Sequence, residues 1–189
     1  MQDFIQKECQ VISDYFLELK QQAQQLSRAV EMCQNALKQG HKIMFCGNGG
    51  SASQAQHLAA ELVGRYKLNR SAMASIALTT DTSILTAVGN DYGFDEIFSR
   101  QVEGLGKEGD ILIGLSTSGN SMNVLKAFDL AKEKNITTIA FVGAQGGKMA
   151  EKASLSICVP SRETNHIQEM HLALGHMLCG LIEENLYYE

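Results

Sequence analysis

His57 and Glu61 stand four residues apart in "SQAQHLAAELVGRY", a spacing that puts an imidazole and a carboxylate on one face of a helix about one turn apart. Such a pair holds a proton donor and acceptor within reach of each other, and it is equally the pattern of a local ion pair. Leu58, Leu62 and Val63 make the same helix apolar enough to pack against a sheet, at whose edge the pair would be partly buried. A second group lies near the C-terminus, in "NHIQEMHLALGHMLCGLIEEN", where Gln168, His171, Leu172, Gly175 and His176 fall near one stripe of a hydrophobic helix. Histidines on such a helix need polar partners.

Two further stretches can receive an anion. "CGNGGSAS" follows a strand and opens a helix, so its backbone N–H groups and the helix N-terminus can cradle negative charge, or it is simply a tight turn without a ligand. Gly47, Gly49 and Ala52 in it approach a dinucleotide fingerprint. The acidic residue that would hold a ribose is missing, because "ASIALTTD" ends in threonines before Asp81, and no nucleotide cofactor is expected. In "LSTSGNS" four hydroxyls, on Ser116, Thr117, Ser118 and Ser121, crowd a glycine-containing loop at the next strand-to-helix junction. A helix cap needs one hydroxyl, so four point to a phosphate held by dipoles without lysine. A nucleotide P-loop is excluded by the lack of G-K-[ST].

The elements that position these groups are legible as alternating apolar runs and helical periods. Residues 2 to 39 carry apolar positions at helical spacing on Gln-rich faces, which predicts two N-terminal helices ended by Gly40. Strands follow at "KIMFCG", "ASIAL", "DILIGLS", "TTIAFVG" and "LSICVP", separated by helical stretches from Ser51, from Asp81, over "DEIFSRQVEGLG", over "MNVLKAFDLAKEKN" and near Lys148. A last helix is expected from about Thr164 to Glu184. Strands apolar on both faces belong in a covered parallel sheet, which makes the fold class α/β, a three-layer sandwich of about five strands. Ligands then bind at the loops after the strands.

Composition narrows the class. With 189 residues, 44% hydrophobic and 20% charged, the chain suits one soluble domain with no membrane span. A net charge of -5 and the lack of any Lys/Arg cluster argue against nucleic acid. Five scattered cysteines without C-x-x-C spacing are expected reduced and mostly buried. "MQDFIQKECQ" has no basic region ahead of an apolar stretch, so a cytoplasmic location is expected. The apolar surface of the two N-terminal helices exceeds what one core of this size needs and points to a homo-oligomer.

Together, "CGNGGSASQAQHLAAELVGRY", "VGNDYGF", "FSRQVE", "GDILIGLSTSGNS", "GGKMA" and "IQEMH" resemble the sugar isomerase (SIS) domain family over the whole of residues 1–189, with 1–40 as its helical N-terminal segment and 41–189 as its flavodoxin-like α/β core. The resemblance is strongest to its phosphoheptose isomerases, which convert sedoheptulose 7-phosphate to D-glycero-D-manno-heptose 7-phosphate, the first step toward nucleotide-activated heptose for lipopolysaccharide core or other surface glycans. It implies Glu61 and His176 as the acid-base pair of an enediol mechanism. It implies that Asn48, Gly49, Gly50, Ser51, Glu61, Arg65, Asn90, Asp91 and Gln168 meet the sugar, and that Ser116, Thr117, Ser118 and Ser121 hold its phosphate. Zinc, one per subunit, on His57, Glu61, Gln168 and His176 is implied as well, although Gln168 and His176 are separated by ~12 Å of helix and must lean together to share it. A homotetramer with active sites at subunit interfaces completes the expectation. At Asn165 and His166 the chain departs from relatives that carry an acidic or small residue followed by arginine. Competing readings are non-catalytic: a sugar-phosphate sensor, or a protein of the kind that associates with the bacterial replication initiator, which lacks the counterparts of Glu61 and His176.

Overall fold

Five short strands, β1 (Ile43–Gly47), β2 (Ser75–Ala77), β3 (Ile111–Ser116), β4 (Thr137–Val142) and β5 (Leu155–Cys158), pair in parallel in the order β2-β1-β3-β4-β5. The computed structural model describes residues 1–187. Every residue of β1 and β3 is buried, as apolar runs covered on both faces require. Alternation along β1 divides the core: Phe45 faces one layer of helices while Met44 and Cys46 face the other.

The first layer comprises α2 (Ala23–Lys38), α3 (Gly50–Val63) and α8 (Thr164–Tyr187), whose Leu26, Val30, Leu58, Leu62, Leu174 and Leu178 enclose Phe45 and Phe141. The second comprises α5 (Ser99–Leu105), α6 (Met122–Glu133) and α7 (Gly147–Lys152), with Phe98, Val102, Phe128 and Met149 on Met44 and Leu112. Each fully buried large side chain contributes about 1.5–3 kcal/mol of transfer free energy, so the sheet and its two layers hold the fold. The three-layer sandwich and the paired N-terminal helices are as the apolar pattern predicts. The last helix runs three residues past Glu184, because Leu186 still packs on the core.

Two helices contribute almost nothing to that core. α1 (Gln2–Glu18), joined to α2 through a 3-10 turn at Leu19–Gln22, and α4 (Thr82–Asp91) bury no residue. On α1, Phe4 is 69% and Leu17 64% exposed. The five cysteines are free; Cys33, Cys46 and Cys179 are buried, Cys158 is partly so and Cys9 is exposed.

Strand order reverses direction between β1 and β3: the chain leaves β1 toward β2 and returns to continue through β3, β4 and β5. A crevice opens outside the carboxyl ends of the strands at such a switch point. Gly47 pairs in register with Leu115, so the glycine turn and the serine loop emerge side by side there.

Candidate active site

The serine loop is a preassembled cluster of hydroxyls. Ser116, the buried last residue of β3, lies 2.9 Å from the Ser121 hydroxyl and 3.5 Å from that of Ser118, oxygen to oxygen. Ser121 occupies the N-cap position of α6, yet its hydroxyl caps no helical N–H. Capping therefore does not explain the hydroxyls. The Gly119 and Asn120 N–H groups donate to Ser116 Oγ and Ser118 Oγ, each at 3.2 Å. Gly119 has φ +65°, and a Cβ there would lie 1.9 Å from the Gly146 carbonyl oxygen, so only glycine fits. From the first turn of α7, Met149 N–H donates to the Gly119 carbonyl at 2.9 Å and locks the cradle. Arg162 lines the same small cavity as Thr117 and Ser118.

At the neighbouring turn, Asn48 and Asn123 exchange side-chain amide hydrogen bonds of 2.9 Å in both directions, tying the glycine turn to the start of α6. Gly49 is the N-cap of α3 with φ +55°. A Cβ on Gly50 would come within 2.5 Å of the Gln168 amide, which therefore roofs the first turn of α3. Gln54 Nε2 donates to the Gln168 carbonyl at 2.6 Å, and Ser51 is buried below. Asn48, Gly49, Gly50, Ser51 and Gln168 are thus gathered at one helix N-terminus, whose unsatisfied N–H groups and dipole favour oxygen-rich ligands.

Further along the paired helices, α8 runs beside α3 because Gly175 admits Leu58: a Cβ there would sit 2.5 Å from Leu58 Cδ2. This contact brings His176 to His57, with their Nε2 atoms 2.8 Å apart and their rings meeting edge to face. His57 Nε2 is also 3.1 Å from Glu61 Oε1. The three side chains offer ligand atoms all within 4.8 Å of one another, a group that can share a proton or hold a metal ion. The His57–Glu61 pair is therefore more than a local ion pair, since a third titratable group from a remote helix closes on it.

The other predicted residues are placed differently. Gln168 lies over Gly50, seven residues before the His57 position on α3, a separation of roughly 10 Å along the helix axis. Arg65 is exposed just beyond the end of α3. Asn90 and Asp91 end α4, which packs chiefly on the Phe94–Glu96 turn, and the Asn90 amide donates to Asp91 Oδ1 at 2.8 Å. His171 does not join the site. It is fully buried beside Phe141, neither ring nitrogen makes a well-formed hydrogen bond, and burial, only partly opposed by the Val142 backbone, pushes its pKa down to about 4. His166 is gripped by Glu169 at 3.0 Å and by Glu8 of α1 at 3.1 Å. The bond to Glu169 outweighs desolvation and raises its pKa above the ordinary histidine value.

Sequence reasoning missed Asn123, Arg162 and a buried ion pair of Arg70 with Glu183. Asn123 falls on the buried stripe of α6 with Ala127 and Ala131, and Glu183 on that of α8 with Cys179 and Ile182. A polar residue on an apolar stripe was the available signal in both cases. Arg162 carries none.

Comparison with known proteins agrees with this geometry. The family model for the SIS domain matches residues 9–143, and the chain belongs to the SIS domain family. It is 55% identical over 187 residues to a phosphoheptose isomerase of Akkermansia muciniphila, covering 99% of both chains. To a phosphoheptose isomerase of Rhodospirillum rubrum it is 56% identical over 186 residues, 98% of this chain and 99% of the relative. The solved structure of phosphoheptose isomerase GmhA from Neisseria gonorrhoeae superposes with a TM-score of 0.91 at 42% identity, over 97% of this chain and 98% of that one.

Proposed function

We propose that the protein is a phosphoheptose isomerase that interconverts sedoheptulose 7-phosphate and D-glycero-D-manno-heptose 7-phosphate. The observation that carries this reading is the convergence of Glu61 and His176, from different helices, in a chain whose serine loop offers an anion cradle at the carboxyl ends of the strands. Hydroxyls of Ser116, Thr117, Ser118 and Ser121 and the N-terminus of α6 hold the phosphate. Asn48, Gly49, Gly50, Ser51 and Gln168 orient the polyol, and Arg65 approaches from the exposed end of α3.

At the ketose head Glu61 takes the proton from C1, the electron pair forms the C1–C2 double bond, and His176 gives a proton to the former C2 carbonyl oxygen. The resulting enediol loses its O1 proton to His176 as the C1 carbonyl forms, and Glu61 returns the carbon proton to C2. His57, hydrogen-bonded within the group, orients both partners.

Two imidazoles and one carboxylate also suit zinc, and His57, Glu61 and His176 would hold it without Gln168; a carboxylate held on zinc is a poorer base, so the proton steps above belong to the group without the ion. A zinc ion there would polarise a substrate oxygen. Because α4 and α1 bury nothing, we assign their apolar and Asn90/Asp91 surfaces to contacts within a homotetramer whose sites lie at subunit boundaries. No helix among the described residues is long and apolar enough to cross a membrane, and we place the enzyme in the cytoplasm.

The test is turnover of a panel of ketose phosphates, with and without chelator. Interconversion of sedoheptulose 7-phosphate supports the reading; tight binding of that sugar without turnover would make the protein a sensor and end it.

A further inference from the structure

Glu183 is buried two turns beyond His176 on α8, and every acceptor site it offers is taken. Oε1 accepts from the backbone N–H groups of Lys67 at 2.7 Å and Leu68 at 2.8 Å; Oε2 accepts from Tyr66 N–H at 3.0 Å and Arg70 Nε at 2.9 Å. Both charged side chains are almost wholly buried, 1% exposed for Arg70 and 2% for Glu183. Burial opposes ionisation, but the three backbone N–H groups and Arg70 outweigh it and keep the carboxyl below its ordinary pKa. A buried pair of this kind often stabilises a fold no better than apolar residues of the same volume. What apolar residues cannot do is hold three consecutive N–H groups of an irregular loop.

That loop leads to the acid-base group by two routes. Tyr66, whose N–H is held by Glu183, lays its ring on the His176 imidazole with centroids 5.8 Å apart and planes 28° from parallel. Gly180 makes the room, since a Cβ there would already be 3.0 Å from Tyr66 Cε1. By the second route, Arg70 donates through Nη2 to the Glu61 carbonyl and through Nη1 to the Leu62 carbonyl, each at 2.9 Å. These are among the last carbonyls of α3, which have no partner inside the helix, so the guanidinium caps the turn that carries Glu61.

We infer that Glu183 is a positioning residue for the acid-base pair, fixing the His176 ring through Tyr66 and the Glu61 backbone through Arg70. The inference rests on the proposed isomerase reading for its kinetic consequences and on geometry alone for its spectroscopic one. A displacement of about 1 Å in a catalytic group costs up to about a hundredfold in rate, so Glu183→Gln is expected to lower kcat about tenfold to a hundredfold with KM nearly unchanged. Tyr66→Ala shares the first route and lowers kcat too, Tyr66→Phe keeps the ring and restores it, and Glu183→Gln combined with Tyr66→Ala falls short of the product of the two single losses.

The measurement that separates this from the reading of function is the NMR signal of His176 in metal-free protein labelled with carbon-13 at histidine Cε1, identified by its loss in His176→Gln. Glu183→Gln and Tyr66→Ala are expected to move that signal in the same direction while Tyr66→Phe leaves it in place. If the signal moves but the wild type does not turn over sedoheptulose 7-phosphate, the isomerase assignment fails and the positioning role stands. A lowered melting temperature with kcat and the His176 signal unmoved would make Glu183 merely structural and overturn the proposal, as would losses that multiply in the double variant. Should Glu183→Gln fail to fold, Tyr66→Ala carries the same two readouts, and an unmoved signal with full kcat overturns the proposal equally.

Discussion

The serine loop, at the carboxyl end of β3, and the His57–Glu61–His176 group, at the contact of α3 with α8, are made of opposite materials. In the loop, the groups that meet each other are hydroxyls and main-chain N–H, arranged by glycines at 119, 146 and 147 with positive φ and by contacts within two neighbouring loops. At the other end, the working groups are titratable side chains, and their meeting depends on α3 and α8 lying in contact through Gly175 and Leu58. Dipoles fixed by local backbone need no counter-ion and suit a dianion that is the same in ground and transition states. Charges that must change during the reaction need a partner across the fold. On the proposed reading the contrast makes affinity for the phosphate and rate at the sugar head separable.

The largest effect should fall on the proton-transfer end. Glu61→Gln or His176→Gln is expected to lower kcat by about 10²- to 10⁴-fold with little change in KM, read in a turnover assay with saturating substrate. Loss in KM alone would break the separation.

Next in size is acid stability, which bears on the helix that serves both ends. His171 titrates near the ordinary 6.5 when unfolded and at about 4 when folded, so the native state excludes a proton the unfolded chain binds. Its contribution is complete above pH 6.5 and is lost as pH falls toward 4, up to about 3 kcal/mol at 1.36 kcal/mol per pKa unit. Chemical denaturation at several pH values should show that slope in the wild type and a flatter one in His171→Leu.

At the phosphate end, Ser116→Ala or Ser121→Ala should raise KM about tenfold to a hundredfold, from the 1.5–3 kcal/mol of a hydrogen bond to a charged group, with kcat less affected. An equal fall in kcat would show that the two ends are coupled. The smallest effect is expected at the exposed Lys152–Asp129 pair, 2.5 Å apart and remote from both ends: Asp129→Asn should change stability by less than about 1 kcal/mol and leave both kinetic constants alone.

Legibility in the sequence followed the range of the contacts. The doubly apolar strands, the serine loop and the glycine turn are local patterns, and the structure repeats them in place. Asn123, Tyr66, Arg70 and Glu183 went unread because their meaning lies in partners far along the chain: an amide facing Asn48, a ring facing His176, a carboxylate facing three loop N–H groups. His171 was read with His176 as one histidine stripe, and packing separates them. Turned inward, His171 meets Phe141 with no well-formed hydrogen bond, while His176 at the helix flank meets His57.

By itself the amino-acid sequence determined the period of each element, the parallel α/β class and the glycine and serine turns at strand ends, because side-chain spacing and turn chemistry act over a few residues. Only the tertiary structure decided that Glu61 and His176 share one point in space, that Gln168 roofs Gly50 instead, that α1 and α4 bury nothing, and that Glu183 anchors the loop behind the site. Those are consequences of which helices touch, and contact between distant segments is set by packing across the whole sheet, which no local pattern encodes.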